Sequence, residues 1–465
     1  MENNYLEQLK ETFSNCADVK FRTINREEGN IYFMFIENMC DSKFISEFII
    51  APMFNKKIQY KNIETIKNEV LATNLLGDIN SLEEAERNIL EGNVVILFSF
   101  IEEAIYCESR RDVKRDISYP DSETTTKGPK DSFNENISDN ISLIRQRVQD
   151  VKLKVENFKI GKKSNTKVYL LYIEDLCPKD LVDYIREKLN NINIDFVLDS
   201  NYIEEEFKCK RTFFDTVAYN EKPDSVSSRI FEGRAAIVIN GTPFVITLPS
   251  FFSESFISSD FYYVNKYVAN YSKMILILIF FISITLPGLY VALATNHLNL
   301  IPLVFIFKLG RSRAQVPFPT IIEMLLMLFF FDIARLAGKL IPQRIGQSVS
   351  VVAALILGNA AIDAGIASEI TVVVMGVVTI STVANTKLFG AARFWTIIIT
   401  ISSAILGLPG FYGALIILLA HIAGLNSCGY PYLFPVGTSK SYKLKEKFFT
   451  IGNLSKISKN IFKRK

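Results

Sequence analysis

Hydrophobic positions divide this chain into two halves. Over residues 1–270 short apolar runs alternate with charged stretches, as in a soluble α/β protein, whereas Ile, Leu, Val, Phe, Ala and Gly dominate residues 271–425. In the first half, "YFMFIENMCDSKFISEF" (32–48) aligns with "YLLYIEDLCPKDLVDYI" (169–185). Each reads as an apolar strand ending in Ile-Glu, then a Cys, then a helix start, with Asp41 and Pro178 where an N-cap or first-turn residue belongs. A second echo follows at nearly the same offset. "LEGNVVILF" (90–98) and "FEGRAAIVI" (231–239) each predict a helix closed by Gly and then a buried strand. Two α/β subdomains related by duplication are therefore expected, over about 20–115 and 145–250. Between them "SYPDSETTTKGPKDSFNENISDNISLIRQR" (118–147) is rich in Pro, Gly, Ser, Thr and Asn, which predicts a linker entering a helix near Ile141. The first subdomain is expected to be mobile on this tether, and the second to lie close to the membrane.

The second half predicts membrane helices. "SKMILILIFFISITLPGLYVALA" (272–294) is long enough to span about 30 Å of hydrocarbon, with a kink expected at Pro287-Gly288. The apolar segments 320–338, 348–366 and 369–384 follow, then a run over 394–424 interrupted by "GLPGFYG" (407–413). Crossed once, that run gives five spans; split at Gly407–Gly413, it gives six. Six returns the chain to its starting side and puts Lys339, Arg344, Lys387 and Arg393 in cytoplasmic loops, as the positive-inside rule favours. Arg311 and Arg313 fit this arrangement badly, because it places them outside.

Charge and cysteine usage add compartment and orientation. Residues 438–465 hold nine Lys/Arg and one acid, Glu446, so the net charge of +3 is mostly this tail and no nucleic-acid-binding face is expected. Six scattered cysteines without a CxxC pair suit reduced thiols. The polar start "MENNYLEQLKETFSNC" has no signal-peptide pattern, which predicts a cytoplasmic N-terminal half. Enzymatic chemistry is not expected. There are only two histidines, His297 and His421, and no HExxH, GxSxG or GxGxxG, while "IGKKSNT" (160–166) lacks the upstream Gly of a phosphate loop. Neither a cofactor nor a metal is implied.

Charged and polar residues inside the apolar half are the candidate functional positions. A carboxylate at the centre of a membrane helix costs roughly 2.5–3.5 kcal/mol, yet Glu323, Asp332, Arg335 and Asp363 all occur there. Asp332 and Arg335 are one turn apart and are expected to form an ion pair within their helix or to hold a neighbouring helix. On a wheel for helix 346–366, Ser348, Val352, Leu355, Asn359 and Asp363 share one face, while Gly346, Ser350, Ala353, Ala354, Ala360, Ala361 and Ala364 gather opposite. The small face is expected to pack on neighbouring helices. The other face reads as a candidate pore lining: a polar mouth, an apolar constriction that gates by dewetting, then a carboxylate that selects cations.

Several motifs together resemble one family. "TTTKGPKDSFNENISDNISLIRQR" (124–147), "GTPFVITLPSFF" (241–252), "VPFPTIIEMLLM" (316–327), "IPQRIGQSVSVVAALILGNAAIDAGI" (341–366) and "NSCGYPYLFP" (426–435) resemble, in order, the A subunit of spore germinant receptors of the GerA family. The family's usual Arg-Glu-Ala-Gly reads Arg335-Leu336-Ala337-Gly338 here. The resemblance implies a spore inner-membrane protein that acts with receptor B and C subunits. It also implies assembly into a homo-oligomeric ring that conducts monovalent cations when nutrient binds. A SpoVAF-type paralogue, an accessory of the dipicolinate channel, has nearly the same motifs, and a secondary transporter is the reading from a different class. The expected architecture is an α/β N-terminal cytoplasmic region of two duplicated subdomains (1–117 and 145–265, joined by 118–144), an all-α multi-span membrane domain (271–436) and a basic cytoplasmic tail (437–465) drawn to anionic lipid.

Overall fold

The alternation at the start of the chain folds as a hairpin. Strands β1 (Val19–Arg26) and β2 (Gly29–Ile36) pair antiparallel, from Val19 opposite Ile36 to Arg26 opposite Gly29. In this computed structural model the described residues are 4–54, 62–73, 75–111, 128–257, 261, 263–340 and 343–434, with 343–351 described by backbone alone. Strands β3 (Leu76–Ile79), β4 (Asn93–Phe98) and β5 (Ala104–Glu108) complete a five-stranded sheet in the order β1-β2-β4-β5-β3. A second sheet is built from β6 (Leu153–Ile160), β7 (Thr166–Ile173), β8 (Ala218–Asn220), β9 (Ala235–Ile239) and β10 (Val245–Leu248), in the order β6-β7-β9-β10-β8. Every pairing in both sheets is antiparallel, so the two share one topology.

The sequence echoes occupy equivalent places in the two sheets. Asp41 and Pro178 each cap the helical segment after the second strand, and Asp41 Oδ1 accepts from the amides of Lys43 and Phe44 at 2.9 and 3.1 Å. Gly92 and Gly233 each end the helix before the fourth strand at φ +85° and +91°, a conformation costly for residues with a Cβ.

Each sheet is covered on both faces. On the first, helical segments 42–53 and 63–70 bury Ile45, Ile49, Met53 and Ile66 against one face, and α1 (Asn4–Thr12) and α2 (Leu82–Leu90) cover the other. On the second, α3 (Ile137–Arg147) and α5 (Pro223–Phe231) cover one face, and α4 (Lys179–Asn191) with the helix Asn201–Phe207 covers the other. Helix α3 therefore belongs to the second subdomain, which begins before residue 145. Its side chains Ile137, Ile141 and Ile144 are core, Asn136 caps it, and the buried Asn140 bonds to the backbone of Asn134.

The two subdomains are fastened together, contrary to the mobile first subdomain expected from the linker. Ala17 N donates to Val155 O at 2.8 Å, extending the β6 edge with a stretch of the first subdomain. Beside it Arg145 Nε and Nη2 reach the two carboxylate oxygens of Asp18 at 2.9 and 3.1 Å, with both side chains fully buried. Burial works against the Arg145 charge, but the Asp18 carboxylate outweighs it and raises the guanidinium pKa. Removing one member of such a pair strands a buried charge and costs roughly 3–5 kcal/mol, whereas replacing both by apolar groups is often neutral. Arg145→Met should thus destabilise the protein by about that amount and speed hydrogen exchange along β1, and adding Asp18→Leu should restore most of the loss. If the double variant melts no higher than Arg145→Met, the pair does not fasten the subdomains.

The rest of the described chain is mainly helical and ends in a short antiparallel ribbon, Asn426–Ser427 with Tyr430–Pro431. It contains α6 (Lys266–Asn296), α7 (Leu303–Arg313), α8 (Thr320–Leu340), α9 (Gln343–Asp363), α10 (Glu369–Ala384), α11 (Phe389–Leu406) and α12 (Leu408–Gly424). The last apolar run breaks at Gly407 (φ +67°), where a Cβ would stand 2.7 Å from His297 Nε2, so it forms two helices. Cross-contacts fix the directions. Asn385 and Thr396 bond to the carbonyls of Leu276 and Ser283, so α6 and α11 run in parallel. Glu323 and Ser368, near the starts of α8 and α10, also meet. With α9 and α12 as the returns, the six long helices alternate in direction. Among the described residues two, Lys266–Asn296 and Thr386–Leu406, are long and apolar enough to cross a membrane. Helix α8 is long enough but carries Glu323, Asp332, Arg335 and Lys339. Residues 435–465, which include the basic tail, lie outside the described residues.

Candidate functional site

Three polar assemblies and one open helix face stand out where the helical half meets itself and the second sheet. The first assembly surrounds Glu323 on α8. Its side chain is fully buried, and Oε2 accepts from Ser368 N at 3.1 Å and from Thr371 Oγ1 at 3.0 Å, at the N-terminus of α10. Ser368 is the N-cap of α10, and its hydroxyl accepts from Thr371 N. A carboxylate at that end also complements the helix dipole. Arg313 Nε lies 3.4 Å from Glu323 Oε1. Arg313, which fitted the expected topology badly, thus has its partner on α8.

The second assembly lies near the other end of α8, where Asp332 holds a neighbouring helix instead of pairing within its own. Asp332 takes its charged hydrogen bond from Arg393 of α11, at 2.5 Å, and not from Arg335. The Arg335 guanidinium stacks over the Phe389 ring, 3.1 Å from its centroid. The i, i+3 spacing brings Asp332 and Arg335 to one face, but helix α11 reaches that face first. Arg393 is itself helical, one turn into α11, and not in a loop.

The third assembly joins the second sheet to the helices. Phe213 stacks on Phe394 with centroids 4.2 Å apart, and Thr212 Oγ1 is 3.0 Å from His421 Nε2. Tyr432 OH donates to Asp215 O at 3.0 Å, Ser427 Oγ donates to Thr216 O at 2.6 Å, and Phe252 N donates to Tyr432 O at 2.9 Å. Behind this seam Arg234 is buried between Glu232 and Glu254, donates to Pro249 O at 3.0 Å, and faces the Phe251 ring. Burial disfavours its charge, but Glu254 and Glu232 together raise its pKa. Phe214, Phe256, Phe280 and Trp395 fill the space between. Cores packed this closely transmit displacement with little loss. The second subdomain thus packs directly on α6, α11 and α12. Of these residues only His421 was named individually from the sequence; the other signals were the motifs "FEGRAAIVI", "GTPFVITLPSFF" and "NSCGYPYLFP", the last with contacts about two hundred residues away.

The open face belongs to α9, which packs chiefly on α8. Val352 and Leu355 are 52% and 65% exposed, and Asn359 and Asp363 are exposed on the same stripe. The side chain of Ser348 lies outside the described residues. The opposite side buries Gly358 and Ala361, with Ala354 partly covered, whereas Ala360 and Ala364 are exposed. The uncovered stripe is thus wider than the wheel suggests. The helix also ends earlier than expected. Ile366 N donates to Ala361 O at 2.8 Å and Gly365 takes φ +63°, closing the helix behind Asp363. Asp363 therefore sits at the helix terminus and not a turn inside it.

Comparison with known proteins covers nearly the whole chain. The profile of the Bacillus/Clostridium GerA spore germination protein family matches residues 7–459. The chain is 32% identical to spore germination protein KA of Bacillus subtilis, over 97% of this chain and 84% of that one. It is also 32% identical to the uncharacterized membrane protein YfkQ of the same species, over 95% and 87%. Spore germination protein GerLA of Bacillus cereus is 29% identical, over 89% and 85%. The crystal structure of the N-terminal domain of the A subunit of the Bacillus megaterium spore germinant receptor GerK3 aligns with a TM-score of 0.41 at 22% identity, covering 54% of this chain and 97% of that domain.

Proposed function

Because the chain belongs to the GerA family of spore germination proteins, we propose that it is the A subunit of a nutrient germinant receptor in the spore inner membrane. In this reading α6 and α8–α12 cross the membrane six times, leaving both sheets and the basic tail in the cytoplasm. The alternating helix directions support this, as do the uncovered apolar side chains on α6, α10, α11 and α12, such as Leu278, Val373, Ile405 and Ile416. The chain acts with receptor B and C subunits and by assembly and conduction, not by catalysis.

The observation that carries the mechanism is the open face of α9. An otherwise apolar helix leaves an amide and a carboxylate uncovered, and lipid is a poor environment for both. A ring of copies would turn these faces toward a shared aqueous axis and remove that cost. Val352 and Leu355 then form an apolar constriction that is closed while dewetted, and Asp363 forms a ring of carboxylates at the mouth that favours monovalent cations. The second sheet, locked to α6, α11 and α12, moves with the helices when nutrient binds a partner subunit. The test is ion selectivity. Asp363→Asn in assembled receptors should reduce the preference for K+ over Cl− several-fold while leaving assembly intact. Unchanged selectivity would remove Asp363 from the conduction path.

A further inference from the structure

The inner ends of α8 and α11 hold two guanidinium groups and one carboxylate. Arg393 spends Nη2 on Asp332 and on Leu328 O, 3.3 Å away. Its Nε and Nη1 are buried with no acceptor, and so is Nε of Arg335. Among the described residues Arg335 makes no hydrogen bond; the Phe389 ring fixes its plane and leaves its donor edge unengaged. An orphaned buried donor is costly, and here three of them lie on two neighbouring arginines, where one acceptor could serve both. The cluster carries one net positive charge, and a guanidinium fork matches the oxygen pair of a phosphate.

Position and surroundings narrow the acceptor. Arg335 lies five residues from the end of α8 and Arg393 four residues into α11, roughly 6–8 Å from the helix ends at 1.5 Å per residue. That is the depth of headgroups, not of the bilayer centre. Around the cluster Leu336 and Leu340 are exposed, and a Cβ on the exposed Gly390 would meet nothing within 4 Å. The surface beside the two guanidinium groups is therefore open at Gly390 and apolar at Leu336 and Leu340. We propose that Arg335 and Arg393 form a binding site for a phosphate group, supplied by an anionic phospholipid whose acyl chains lie along Leu336 and Leu340. The inference rests on the membrane-spanning reading of α8 and α11. It concerns a site distinct from the basic tail.

The test uses the full chain in nanodiscs of phosphatidylcholine or of phosphatidylglycerol, read by thermal unfolding and by mass spectrometry of retained lipid. Phosphatidylglycerol should raise the midpoint of the native protein by several degrees and stay bound after delipidation. Arg335→Gln should lose both effects while the tail remains. Arg335→Lys, which keeps the charge without the fork, should retain only part, and it serves as the second variant if Arg335→Gln folds poorly. Equal shifts in the native protein and in both variants would overturn the site. Inorganic phosphate added to phosphatidylcholine discs should give no shift; a full shift would assign the cluster to a free oxyanion and overturn the lipid. Failure of the chain to enter discs at all would instead defeat the membrane reading, before any lipids are compared.

Discussion

Spores carrying Val352→Trp should release little or no K+ on nutrient addition, and Val352→Ala should leak without nutrient. Val352 is exposed on α9 together with Leu355, one turn from it and on the same stripe. In a ring, one side chain is repeated around the axis, so a change in volume at this position is multiplied by the number of copies. An indole from every copy would fill a constriction that valine only narrows. Alanine would widen it and lower the dewetting barrier that holds it shut. The two variants move flux in opposite directions, which separates gating from misfolding. A misfolded α9 would lower both.

Glu323→Ala should cost about 3 kcal/mol of stability in detergent, read as a fall in thermal midpoint. The carboxylate accepts from Ser368 N and Thr371 Oγ1 at the start of α10 and pairs with the Arg313 guanidinium at the end of α7, so alanine takes an acceptor from α10 and the counter-charge from Arg313. Breaking a buried pair costs roughly 3–5 kcal/mol, and the low end applies because the Arg313 side chain is 26% exposed. Glu323→Gln keeps the oxygen that caps α10 and loses only the charge opposite Arg313, so its loss should be the smaller of the two. Equal losses would show that the charge opposite Arg313, not the bonds to the start of α10, carries the stabilisation. A Glu323→Ala protein that melts like the native one would show that the cluster contributes nothing.

How much could be read from the chain depended on whether a feature was local. Asp41, Pro178, Gly92 and Gly233 announce helix starts and stops through backbone rules that act within a few residues. The duplicated sheet topology followed from two short echoes. The interruption at 407–413 left one or two helices open, and the positive φ of Gly407 is what divides the run. Glu323 and Asp332 were visible as charges in apolar surroundings, but their partners were not. Arg313 and Arg393 stand at the edges of apolar runs, where a basic residue ordinarily marks a loop, and only packing brings them to α8. The seam from Thr212–Thr216 to Ser427–Tyr432 depends on contacts more than two hundred residues apart, which no periodicity encodes.

The most direct test of the proposed conduction path is thiol accessibility at residue 352. A charged methanethiosulfonate reagent applied to spores bearing Val352→Cys during nutrient-driven K+ release should sharply reduce the flux, and Ile380→Cys, on the uncovered side of α10, should be indifferent. The native protein, with its cysteines buried or half-buried, supplies the baseline. Undiminished K+ release from spores in which residue 352 is shown to be fully modified would contradict α9 as the lining of the pore.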